Sequence, residues 1–263
     1  LAAQDKAEEA LKLLDGKADQ AFAASREELR GDLLVQLGDD GHLVEIQANY
    51  GPNLITAFGR IDGRAVGFLA NNPMHLAGCI DADAADKGAR FIRTCDAYNI
   101  PLVFVVDTPG YLPGVEQEKA GLIHRGAKLA FALVEATVPK VTLIVRKAYG
   151  GAYAVMGSKN LSGDINFAWP TAQIAVMGSA AAVVMIQGKQ LAAAPPEQRD
   201  YLKKIFMDFY DENMTSPYVA AERGYLDAMI QPRETRLALR RALRQLSTKD
   251  EQDLSKKHTI MPL

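Results

Sequence analysis

Cysteine is nearly absent: Cys79 and Cys95 are the only two among 263 residues, too few and too plainly spaced for a disulfide framework or a zinc cluster. So small a number fits a reducing, intracellular compartment, read as cytoplasmic, or as the mitochondrial matrix if the source is eukaryotic. No stretch approaches the roughly twenty consecutive apolar residues of a membrane helix, and nothing at the start resembles a signal peptide, so no membrane role is expected. Neither sign of charge dominates. With 30 Lys and Arg against 32 Asp and Glu the net charge is −2, which leaves no electrostatic basis for a nucleic-acid partner. Metal-ligand spacing is missing as well: His42, His75, His124 and His258 pair with no cysteine or carboxylate in a recognisable pattern, so no metal is expected. There is no Gly-x-Ser-x-Gly elbow, and Asp107, His124 and Ser158 can be written as a triad only without support from their spacing. The segment GAYAVMGSK is not a phosphate loop, because five residues separate Gly151 from Gly157 and Lys159 does not directly follow the second glycine.

What is present is an ordinary globular composition, 48% hydrophobic and 24% charged, long enough for one large domain or two small ones. Residues 1–40 read as a helical arm, weakly amphipathic through Leu11, Leu14 and Phe22. From residue 41 the texture changes to HLVEIQ, LITAFGRI and AVGFLA, with Asp62-Gly63 as a hairpin signal between the last two. Asp81 to Asn99 then places Ala85, Ala89, Ile92 and Cys95 on one helical face, where Cys95 is most simply a core residue. LVFVVD and VTLIV are continuous apolar runs of buried-strand type. Between them Leu122, Ile123, Ala127, Ala130, Leu133 and Val134 recur at helical spacing. AQIAVM reads as a further strand and a small-residue helix begins near Ser179. Pro195-Pro196 opens a helix bearing Leu202, Ile205, Phe206 and Phe209, and a last helix starts near Thr235. Strands alternating with helices predict a layered α/β domain over residues 41–263 with a largely parallel sheet.

Ligands of such sheets gather where loops leave the C-terminal ends of strands. Two loops qualify: Asp107 to Gly114 (DTPGYLPG) after LVFVVD, and Tyr149-Gly150-Gly151-Ala152 after VTLIV. Backbone N–H groups at the second could hold an oxyanion, an effect commonly worth about 3–4 kcal/mol per donor in acyl chemistry. The glycines serve equally well as devices for close helix packing, and the motif alone leaves both readings open. Arg233, Arg236, Arg240, Arg241 and Arg244 form a basic face of the kind that is usually solvated. Asp164, Asp227, Trp169 and Tyr111 take structural roles by default.

Longer segments carry more. AFGRIDGRAVGFLANNP, LAGCIDADAADKGARFIRTCDAYNIPLVFVVDTPGYLPGVEQEKAGLIHRGAKL, EATVPKVTLIVRKAYGGAYAVMGSK, FAWPTAQIAVMG and SPYVAAERGYLDAMIQP resemble the C-terminal half of the carboxyltransferase (beta) subunit of biotin-dependent acyl-CoA carboxylases, of the propionyl-CoA carboxylase type. The resemblance runs from about Leu43 to Leu263. It implies a crotonase-type ββα superhelix and transfer of a carboxyl group from carboxybiotin, on a carrier protein, to the α-carbon of an acyl-CoA. It also implies that backbone amides do most of the chemistry while the cofactor supplies the base, which would account for the missing catalytic histidine or carboxylate. On the matching positions Gly151, Ala152 and, more weakly, Gly114 are the expected amide donors. Gly150, Gly110 and Tyr111 are expected to hold biotin. Ala154 stands where Asp or Cys is frequent in the family, and a small apolar residue there favours longer acyl chains. The implied partners are a biotin carboxylase, a biotin carboxyl carrier and the N-terminal carboxyltransferase half, in a homo- or hetero-oligomer that is hexameric in similar enzymes. That other half has no counterpart here. Either the chain, which opens on Leu1, is part of a longer product, or the halves are separate polypeptides. A decarboxylase or transcarboxylase subunit, or a non-catalytic assembly half, would carry the same residues.

Overall fold

The computed structural model describes residues 33–39 and 42–250. Its frame is an eight-stranded sheet. Strands β1 (Val44–Ile46), β2 (Leu54–Ile61), β3 (Arg64–Asn71), β4 (Leu102–Thr108), β5 (Lys140–Tyr149), β6 (Ile165–Ala168) and β8 (Ala228–Met229) lie side by side in the order β1-β2-β3-β4-β5-β6-β8. The short β7 (Gln173–Ala175) pairs with the far end of β5. The pairs β1–β2 and β2–β3 are antiparallel, and between β2 and β3 Asp62 and Gly63, both with positive φ, close the hairpin in a two-residue turn. All other pairs are parallel, so the sheet is mixed rather than largely parallel at its first edge.

Every residue of β4 is buried, as a continuous apolar run predicts for a central strand covered on both faces. Alternation then divides its side chains between two cores. Phe104 and Val106 join Leu54, Leu69 and Ile144 under α2 (Ala82–Ala97) and α4 (Leu122–Glu135). Val103 and Val105 join Phe68, Leu143 and Val145 under α1 (Leu33–Leu37) and α9 (Thr235–Gln245). Of the arm expected over residues 1–40, the part before residue 33 lies outside the described residues, while Leu34 and Leu37 sit buried in this second core.

Helix α2 begins where its sequence says it should, with the Asp81 carboxylate accepting from Ala84 N at 2.8 Å. Ion pairs from Arg125 to Asp83 and Asp86 then tie α2 to α4. The buried face of α4 is only partly the expected one: Leu122 and Leu133 are on it, Ile123 and Val134 are not. Leu122, Gly126, Leu129, Ala132 and Leu133 turn inward, whereas Ile123 is 84% exposed and Val134 53%. Gly126 is the physical reason: an added Cβ there would lie 3.0 Å from the Tyr111 ring, so Tyr111 packs against bare backbone on that face. On α9, Arg236 pairs with Asp39, and Arg240 and Arg244 with Asp62, so much of the basic face is engaged within the chain. These exposed pairs contribute little stability each.

The remaining helices surround one end of the sheet. Short α3 (Val115–Lys119) precedes α4, α5 (Gly150–Val155) follows β5 directly, and α6 (Ser179–Ala193) and α7 (Pro196–Tyr210) pack on one another. Ile205 and Phe209 of α7 are exposed. A π-helical turn at Asp211–Thr215 then leads into α8 (Pro217–Glu222).

Candidate functional site

Strand β5 does not end at VTLIV but continues through Arg146–Tyr149, because β7 supplies new partners at Lys147, Ala148 and Tyr149. The chain then enters α5 with no intervening loop, which Gly150 makes possible. Its φ is +56°, in the left-handed region, and an added Cβ would stand 2.9 Å from the Val176 carbonyl oxygen. Gly151 is exposed, and an added Cβ would meet only the Tyr111 ring, at 3.7 Å. Ala152 is buried against the first core. The first N–H groups of a helix have no acceptor within it, so the main chain here presents donors beside exposed, side-chain-free backbone.

The loop after β4 forms the facing wall. Ile80 N donates to Gly110 O at 3.0 Å and Leu112 N donates to Ile80 O at 2.9 Å, which fixes Tyr111 between them. The Tyr111 hydroxyl donates to Gly126 O at 3.5 Å and its ring covers Gly151. Burial pushes the Tyr111 phenol well above its ordinary range, so it stays protonated and serves as a surface and a donor rather than a base. Tyr149 and Tyr153, at either end of the glycine pair, are likewise pushed up by burial, each to about 12. The Tyr149 hydroxyl donates to Gln173 Oε1 at 2.6 Å. Gly114 stands apart from this wall as the exposed residue capping α3, with open space where a Cβ would be.

Beside α5 lies a cavity of about 630 Å³, lined chiefly by apolar side chains, among its lining Gly150, Gly151, Ala154, Val176, Met214 and Arg223. That volume is typical of a site for a small organic ligand. Ala154 reaches it because residues four apart on a helix share a face with Gly150. Part of this lining was not legible in the sequence: Val176 lies within the AQIAVM run and Met214 sits in the π-helical turn, and neither carries a local signal.

Other candidates are occupied elsewhere. Ser158 is buried and its hydroxyl donates to Ala154 O at 2.9 Å, while Asp107 is paired with Arg146, so no Ser-His-Asp relay forms with His124. Asp164 accepts from Lys140 N and Lys249 Nζ, at 2.8 and 3.0 Å. Asp227 pairs with Lys159 and accepts from Asn166 N. The Trp169 indole donates to Thr235 Oγ1 at 2.9 Å. Among the described residues no group of three His, Cys, Asp or Glu is placed to hold a metal ion, and no helix is long and apolar enough to cross a membrane.

A carboxyl transferase domain profile matches residues 28–261, and a tetratricopeptide repeat-like domain profile matches residues 1–42. The biotin-dependent acetyl-/propionyl-coenzyme A carboxylase beta5 subunit of Mycobacterium tuberculosis is 55% identical over 234 residues, 88% of this chain and 42% of that protein. The biotin-dependent long chain acyl-coenzyme A carboxylase beta4 subunit of the same organism is 51% identical over 235 residues, 88% of this chain and 44% of that protein. Among solved structures, the transcarboxylase 12S hexamer with methylmalonyl-coenzyme A and methylmalonic acid bound superposes with a TM-score of 0.85 at 44% identity, covering 89% of this chain and 45% of that one. The chain therefore spans less than half the length of the relatives it matches. The superposition gives it the crotonase-type α/β fold expected from its sequence. On a profile match over most of its length, the chain belongs to the carboxyl transferase domain family.

Proposed function

We propose that this chain is the biotin-side half of an acyl-CoA carboxyltransferase, moving a carboxyl group between biotin on a carrier protein and the α-carbon of an acyl-CoA. The observation that carries the reading is the start of α5, where Gly150 and Gly151 line a largely apolar cavity at the end of a helix whose first N–H groups have no acceptor within it, with Ala152 buried directly behind them, in a chain of this family. Biotin fits the residues present. Gly151 is exposed and carries no side chain, and the Tyr111 ring beside it offers a flat surface for a bicyclic urea that approaches the backbone. When bound, biotin supplies the activated carboxyl group.

The chain's own residues position and stabilise. The amides of Gly151 and Ala152 would hold the ureido oxygen of bound biotin, an interaction of about 3–4 kcal/mol per donor where such an oxygen carries negative charge. Gly150 sets the turn that aims them. Tyr111 and Gly110 wall the biotin side and keep water out, and Gly114, farther along the same loop, is the weaker third donor. Ala154 leaves the cavity open to acyl chains longer than acetyl or propionyl, as a carboxylate at that position would not. The partners that complete the site are the N-terminal carboxyltransferase half, a biotin carboxylase and a biotinylated carrier, within an oligomer. A second reading is supported by the transcarboxylase 12S likeness at 44% identity: the same half-site would then exchange carboxyl groups between two acyl acceptors.

Assembly of this chain with the N-terminal half, biotin carboxylase and biotinylated carrier tests the reading. With ATP, labelled bicarbonate and an acyl-CoA, the complex should form carboxylated acyl-CoA. Transfer of the carboxyl group from methylmalonyl-CoA to a second acyl acceptor, without ATP, would favour the second reading. A verified complex inactive in both assays would refute both and leave an assembly role.

A further inference from the structure

Between β4 and β5 the pairing breaks register. Val106 faces Ile144 and Thr108 faces Ala148, so three residues of β5, Val145, Arg146 and Lys147, stand opposite Asp107 alone. Such bulges bend the longer strand and re-aim the chain beyond them. Here that chain is Gly150-Gly151-Ala152, which starts two residues past the resumed pairing.

The side chain of Asp107 fills the break. Its carboxylate is only 2% exposed. Oδ1 accepts from Arg146 Nε at 3.1 Å and from Lys147 N at 3.2 Å, and Oδ2 lies 2.9 Å from Arg146 Nη2. The guanidinium therefore holds the carboxylate by one hydrogen bond to Oδ1 and by ion-pair contact with Oδ2, whose geometry is not that of a hydrogen bond. On its other side the Asp107 N–H donates to Asn71 Oδ1 at 3.2 Å, which anchors the residue to the end of β3. Asp107 also begins the DTPGYLPG loop, so one residue holds the root of the Tyr111 wall and the root of the amide turn together.

We infer that Asp107 and Arg146 are positioning residues for the Gly151 and Ala152 amides: they hold the β5 bulge in the one geometry that aims α5 at the cavity. Neither touches the reacting atoms. A buried carboxylate removed from its guanidinium would let the bulge relax, and ångström-scale misplacement of donors costs up to about a hundredfold in rate. This inference rests on the function proposed above.

The test compares Asp107→Asn, Arg146→Gln and the double variant in the assembled complex. Each single variant should lower kcat about tenfold or more while KM for acyl-CoA stays within about twofold, the signature of lost alignment rather than lost binding. In the isolated chain, amide hydrogen exchange over residues 144–156 should rise by about tenfold, with α2 unchanged. The double variant, which leaves no unpaired buried charge, should recover stability but not kcat. Arg146, a quarter exposed, gives a second route if Asp107→Asn does not fold. Wild-type-like kcat in Arg146→Gln, or activity lost only in proportion to lost folded protein, would overturn the positioning role. Absence of transfer by the wild-type complex would instead overturn the proposed function, while the exchange measurement would still report on the bulge.

Discussion

Replacing either member of the glycine pair by alanine separates folding from chemistry. At Gly150 the φ of +56° places an L-residue in the left-handed region, at about 1–2 kcal/mol. The new Cβ would also press to 2.9 Å from the carbonyl oxygen of Val176, an atom of the backbone that cannot rotate away. The smaller unfolded-state entropy of alanine returns about 0.4–1 kcal/mol. Gly150→Ala should therefore destabilise by about 1–3 kcal/mol. At Gly151 the φ lies outside the left-handed region and the added methyl makes only ordinary contact with Tyr111, at 3.7 and 3.8 Å. Gly151→Ala should be neutral or up to about 1 kcal/mol more stable. Its methyl nevertheless occupies the space between Tyr111 and the main chain, so transfer should fall at least about tenfold. Urea denaturation of the isolated chain and carboxyl transfer by the assembled complex measure the two effects. Full activity in Gly151→Ala would place the donor face elsewhere, and wild-type stability in Gly150→Ala would contradict the turn geometry.

Ala154→Asp brings a carboxylate to an apolar cavity wall. The kcat/KM should fall about tenfold or more for long acyl-CoA substrates relative to propionyl-CoA, and an unchanged chain-length profile would refute the role given to Ala154. Lys87 is buried, with Nζ donating to Leu54 O at 2.6 Å and Gly51 O at 3.4 Å, and desolvation lowers its pKa below the ordinary 10.5. The unfolded chain then binds more protons than the folded one between the lowered value and 10.5, so this residue's contribution to stability improves as pH rises through that window. The stability difference between wild type and Lys87→Met should change in that direction from about pH 7 to about pH 10; a flat difference would show that Lys87 ionises normally.

The elements legible in the sequence were those that local physics determines. LVFVVD and VTLIV are buried on both faces and read as strands without help. Asp81 capped its helix and Asp62-Gly63 closed its hairpin as their side chains and dihedrals require. Helix α4 was legible as a helix but only partly in its facing: Leu122 and Leu133 turn in as expected, whereas Ile123 and Val134 keep helical spacing on the solvent side, and Tyr111 packs on Gly126 of the inward face. The glycine pair was visible as a possible anion site or a packing device. The groups that separate the two lie far away in sequence: the carbonyl of Val176, the ring of Tyr111 and the cavity wall at Met214 come together only through the sheet. Asp107 was visible as a carboxylate but not as the filler of a bulge, because a break in register is a property of two strands.

The amide assignment is decided by a structure of the assembled carboxyltransferase with biotinylated carrier bound. The ureido oxygen should lie about 2.7–3.1 Å from the backbone nitrogens of both Gly151 and Ala152, with the bicyclic ring against Tyr111. Biotin seated on other donors, with those two amides turned toward water or protein, would contradict it.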